Sequence, residues 1–247
     1  MKKALTGLLL FVSIFTVAQD IPFSETDYKG WTADERADNM FLLFEEAAPS
    51  DVNLLEILTK LYNENVLDLN VRNKSEKLSL FDACLLADLY MSARFLIEKG
   101  YKINQRCFQC NGETPLLKVV YRSGEMEDPN PELHDLMLFM IEKGADPDLR
   151  DMKGYTSLHW VIKNNDVEAF KVLMKPEVTL NAQLATLRGK GYLEFFDKHW
   201  NEDEYREILM TRTELKYPPT KKEIKERQKA AKQKEKAENE LRSKKGQ

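Results

Sequence analysis

Through the middle of the chain, apolar residues recur in short stripes at a helical period, with polar residues between them. Leu158, Val161 and Ile162 fall at i, i+3 and i+4, one apolar face of a short helix. Val167, Phe170, Val172, Leu173 and Met174 form a second stripe a few residues later. Thr156 stands just before the first stripe, where its side chain can accept hydrogen bonds from amides that a first helical turn leaves without partners. At an earlier stripe, Thr114-Pro115 puts proline in the first turn, where no donor is missed. The pattern predicts pairs of short helices and an all-α fold.

The pattern also repeats. Leu67-Asp68-Leu69-Asn70, Tyr101-Lys102-Ile103-Asn104, Ala145-Asp146-Pro147-Asp148 and Val178-Thr179-Leu180-Asn181 stand at corresponding places, their last positions 34, 44 and 33 residues apart. A second phrase follows two of them, Gly112-Glu113-Thr114-Pro115-Leu116 and Gly154-Tyr155-Thr156-Ser157-Leu158-His159, with a degenerate version at Leu78-Ser79-Leu80-Phe81. No such unit can bury its apolar face alone, so neighbours must stack and the ends need caps.

These phrases resemble the ankyrin repeat, a turn followed by two helices. The best match is the third unit, which keeps Asp151, Gly154, Thr156, Leu158, His159 and Glu168. The second keeps Gly112, Thr114, Pro115, Leu116, Gly144, Ala145 and Asp146, while the first lacks the turn glycine. The resemblance covers residues 34–200, with 34–70 and 182–200 as diverged caps. It implies an ankyrin-repeat solenoid whose hairpin tips and first helices line a binding surface. Carried over position by position, the partner-binding residues are Asn111, Glu113, Tyr121 and Arg122 in the second unit. In the third they are Met152, Lys153, Tyr155, Lys163 and Asn164. Tyr121, Arg122 and Tyr155 rank first, being frequent hot-spot types. Neither tyrosine lies on an apolar stripe, so both are expected to be replaceable without loss of the fold.

The long spacing marks two insertions. Residues 105–111 hold two extra residues at a hairpin tip, and residues 124–132 add nine between the helices of the second unit. Two prolines and four acids in the latter predict an exposed, extended loop, tolerated or in contact with a partner. Cys107 and Cys110 form a C-x-x-C, for which a local disulfide is the first reading and free thiols the second. Redox catalysis would need a thioredoxin-like context. A zinc site would need further ligands, and the chain has three histidines, His134, His159 and His199. Cys84 is expected to be buried as a small apolar group.

The two ends differ from the body. Lys2 and Lys3 precede a charge-free apolar run at 4–17, and Thr16-Val17-Ala18 supplies small residues at the positions that a signal peptidase reads. As a helix this run would rise about 21 Å, short of the roughly 30 Å hydrocarbon core. A signal peptide at 1–18 and a periplasmic or secreted location follow as expectations, with a buried N-terminal helix as the alternative. No cysteine stands just after position 18 to take a lipid anchor, and no later stretch is long and apolar enough for a membrane span. The expected organisation is then a lead-in at 19–33, a repeat domain at 34–212 and a charged tail, helical or disordered, at 213–247.

Composition adds the charge balance. The chain has 247 residues and a net charge of −4, but residues 216–247 carry twelve Lys and Arg against five Glu. With Lys2 and Lys3 also set aside, residues 19–215 carry −13. The acidic body argues against nucleic acid as its ligand and favours a basic partner, while the tail suits anionic surfaces. No nucleophile–base pair, phosphate loop or carboxylate dyad stands out. No enzyme is therefore expected; the ankyrin resemblance implies non-catalytic protein recognition, and the segment at 1–18 places it outside the cytoplasm, without cofactor or metal. The alternatives are a thiol-redox or metal-binding protein using Cys107 and Cys110, or an envelope-associated structural protein using the tail.

Overall fold

A computed structural model describes residues 50–215, except 66, 73–77, 127 and 201. The expected signal peptide, the lead-in, the first part of the N-terminal cap and all but the start of the tail lie outside the described residues. The described residues form nine α-helices and no strand, apart from three isolated antiparallel bridges. The chain divides into two compact units, at residues 1–102 and 103–247.

In the first unit, α1 (Asp51–Asn63), α2 (Leu80–Leu86) and α3 (Tyr90–Glu98) pack so that α3 touches both others. Helix α1 turns Leu54, Leu58 and Leu61 inward, while its Asp51 carboxylate accepts hydrogen bonds from the Met91 and Ser92 amides at the start of α3. Ser79 and Asp82 form a reciprocal cap on α2, and Arg72 pairs with Asp82 at 3.2 Å. Cys84 is a free thiol, fully buried.

In the second unit, first helices α4 (Pro115–Gly124), α6 (Ser157–Asn164) and α8 (Tyr192–His199) form one layer, with α6 in contact with both neighbours. Second helices α5 (Pro131–Glu142), α7 (Val167–Leu173) and α9 (Asp203–Thr213) each pack on their own first helix, and α5 touches α7. Thr114 and Thr156 cap α4 and α6, the latter reciprocally with His159. Leu158, Val161, Ile162, Phe170 and Leu173 are buried completely.

The end of each repeated phrase acts as a clasp. Asn70 accepts from the Lys102 amide, Asn104 from the Asp146 amide and Asp148 from the Asn181 amide, at 2.7–3.0 Å. Asn104 also donates to the Gly144 carbonyl. Each such side chain ties one loop to the next within its unit. The polar residue therefore recurs for a structural reason.

The 124–132 insertion is only partly a loop, contrary to the reading from composition. Gly124 ends α4, and Pro131 and Glu132 begin α5, leaving 125–130 between them. Asn130 accepts from the amides of Glu132 and Leu133, and Pro131 sits at the first helical position. Asparagine before proline is a helix start. Some of the extra residues thus lengthen helices, α4 and α5 having 10 and 12 residues against 8 and 7 in α6 and α7.

Candidate functional site

The hairpins that precede α4, α6 and α8 carry the turn geometry that the surface requires. Cys107 bridges to Glu113 and Ala185 to Gly191, while the Asp151 amide donates to the Tyr155 carbonyl. Neighbouring tips are joined by backbone: the Met152 amide donates to the Asn111 carbonyl at 2.8 Å, and the Leu187 amide to the Lys153 carbonyl at 3.4 Å. Gly154 makes this close approach possible. Its φ is +79°, and a Cβ there would lie 2.6 Å from the Leu187 amide nitrogen. Cys107 and Cys110 are joined by a disulfide, with Cα atoms 5.0 Å apart, closing the inserted tip on itself. While bonded, these sulfurs can neither bind metal nor exchange as thiols.

The side chains between the tips and the helices form an aromatic and cationic cluster. Trp160, on α6, is 2% exposed, and its indole N–H donates to the Asp151 carboxylate at 3.0 Å. Tyr121 lies 4.1 Å from the Trp160 ring centre, and Tyr155 lies 5.3 Å from both Trp160 and Phe195. The Lys163 ammonium sits 3.9 Å above Trp160, and that of Lys153 lies 5.7 Å from the same ring. Burial, with the nearby Lys153 charge second, lowers the Lys163 pKa from its ordinary value. Tyr155 also stacks near His159, whose imidazole burial pushes down to about 4 and so keeps neutral. His159 Nδ1 accepts from the Thr156 amide, a capping role.

The residues expected to bind a partner therefore divide. Asn111, Met152, Lys153 and Lys163 are exposed, Met152 at 62%. Glu113, Tyr121, Arg122, Tyr155 and Asn164 are half-buried. Asn164 packs against Gly124, where a Cβ would lie within 2 Å of its amide nitrogen, so it spaces α6 from α4. Tyr121 and Tyr155 are corrected too. Tyr121 packs on Trp160 of the next unit, and Tyr155 packs on Trp160 of its own unit and on Phe195 of the next, so both belong to the packing between first helices rather than to a free surface.

Three groups escaped the sequence reading. Leu187 is 71% exposed and Phe108 75%, both at hairpin tips like Met152. Leu187 precedes Gly189 by two residues, as Met152 precedes Gly154, and that offset could have revealed it. Trp160 gave no such signal. Ser123, His134 and Asp166 meet where α4, α5 and α7 converge: Ser123 donates to Asp166, and His134 Nε2 lies 3.0 Å from the Ser123 hydroxyl. Burial pushes the Asp166 carboxyl up, but hydrogen bonds from His134, Ser123 and the Ala169 amide outweigh it and hold its pKa below the ordinary value. The trio ties the helices together.

Comparison with known proteins places this geometry beside a named relative. An ankyrin repeat protein of Acanthamoeba polyphaga mimivirus is 33% identical to this chain over 61 residues. The match spans 25% of this chain and 14% of that protein. No family model matches the chain.

Proposed function

We propose that this chain is a non-catalytic protein-recognition module built of ankyrin-like repeats and exported from the cytoplasm. One observation carries the reading: hairpin tips joined through backbone hydrogen bonds hold Met152, Lys153 and Leu187 outward in register, while the helices beneath bury their apolar faces. A rigid row of exposed side chains crossing several repeats suits a protein surface. The local identity to an ankyrin repeat protein supports the same reading. Export is supported by residues 1–18 and by a disulfide at Cys107–Cys110, a bond favoured in oxidising compartments.

The test is affinity capture from the native cells with wild type and a Met152→Asp/Leu187→Asp variant. Both positions are exposed, so the variant keeps its thermal midpoint. A partner held by wild type and lost by the variant is the expected result. A partner retained equally would move the surface elsewhere. N-terminal sequencing of the exported protein is expected to start at Gln19, and a cytoplasmic protein starting at Met1 would overturn the location.

A further inference from the structure

The charge of the whole body is a poor guide to what this face meets. Acidic residues dominate residues 19–215, yet the exposed face at the ends of α6 and α8 is cationic. Lys153 and Lys163 share the Trp160 ring. The C-terminal end of α8, with Lys198 and His199, lies beside the end of α6. In the amide orientation that satisfies its hydrogen bonds, Asn165 donates to the His199 carbonyl at 2.9 Å. Burial lowers the His199 pKa, and the charges of Lys198, Lys163 and Lys190 lower it further, as expected where cations gather.

Three acids near these cations are engaged, while Glu113 and Glu125 lie toward Tyr121 on the neighbouring helix. The Asp151 carboxylate takes the Trp160 indole and the Lys153 and Tyr155 amides. Asp197 pairs with Arg206, and Glu194 lies 3.7 Å from Lys190. Among the described residues, no carboxylate lies within ion-pair distance of Lys153, Lys163 or Lys198. Gathered like charges repel, and a bound anion removes that repulsion. Lys163 is already seated on an aromatic face, so little side-chain freedom is lost when it receives a carboxylate. Next to the cations, Met152 and Leu187 stand exposed on the tips.

We propose that this face takes an acidic peptide segment, whose carboxylates meet Lys153, Lys163 and Lys198 while an apolar side chain rests on Met152 and Leu187. This rests on the protein-recognition reading and reverses the charge expected from the body as a whole. A nucleic acid would share the charge but not the need for two exposed apolar tips, and the acidic body would repel so dense a polyanion.

The experiment is selection of random displayed peptides on the full chain, followed by binding of the selected sequences as synthetic peptides. The expected peptides are net negative with at least one large apolar residue, and their binding weakens as salt rises. Their affinity is expected to fall at least about tenfold in Lys153→Glu/Lys198→Glu and in Lys163→Gln, with a charge pair lost at each site. It should hold in Lys143→Glu, the same kind of substitution at the residue that ends α5. Neutral or basic peptides would overturn this inference and leave the recognition reading standing. So would acidic peptides whose affinity the variants leave unchanged, or displacement of the peptides by a single-stranded oligonucleotide at lower concentration than a polyglutamate. Selection of no peptide at all would overturn both.

Discussion

Individual residues in this protein do work that their chemical type alone would not suggest. His159 could be read as a general base, but it lies in a nonpolar interior, ringed by Tyr155, Tyr192 and Phe195. Burial lowers its pKa from 6.5 to about 4. Between those values the unfolded chain takes up a proton that the folded chain refuses, so stability is full above about pH 6.5 and falls as pH drops through this window. The contribution at stake is on the order of 3 kcal/mol. Urea unfolding at about pH 7.5 and about pH 4.5 should show wild type losing much more than His159→Gln across the interval. His199, also lowered by burial, should leave a smaller slope in the variant. An equal loss in both proteins would remove His159 from the account.

At the scale of elements, short helices depend on their ends. Helices of seven to thirteen residues are marginal alone, so caps and stacking supply what propensity cannot. The segment before α5 shows this. Residues 126, 128 and 129 belong to neither helix, whereas Asn130 and Pro131 start α5. Replacing 126–129 with two residues should leave the denaturation midpoint nearly unchanged. Replacing 125–131 instead removes the cap and should cost about 1–2 kcal/mol. Equal stability in the two deletions, measured by urea unfolding, would show that Asn130 does not hold the helix end.

At the scale of the molecule, a stack of repeats must be closed where it ends. In the second unit α9 does this: Leu209 is fully buried, and Tyr205 packs on Phe170 and Trp200. Arg212 donates to the carbonyls of Met174, Lys175, Pro176 and Val178, which end α7 and begin the next loop. A cation at a helix C-terminus meets the negative end of the helix dipole and its unpaired carbonyls. Arg212→Ala should therefore destabilise the protein by about 2 kcal/mol, visible as a lower midpoint in chemical unfolding. An unchanged midpoint would mean that water replaces the guanidinium without loss.

What the sequence determined by itself is the local part. Helix stripes, threonine caps, proline at the first position and the fixed spacing of turn glycines were all legible, because each depends on residues within one turn of one another. The recurrence of Asn70, Asn104, Asp148 and Asn181 was legible too, but three of them clasp a neighbouring loop 32 to 42 residues away, which spacing alone does not reveal. The tertiary structure decided the character of the face. Trp160 looked like one more apolar residue until the stacking of α4, α6 and α8 placed Tyr121, Tyr155 and Lys163 around it. The same stacking separated surface charge from net charge, bringing lysines of different repeats together on one side. Packing, whose contacts join residues far apart in the chain, converted a body of −13 into one that presents a cationic face.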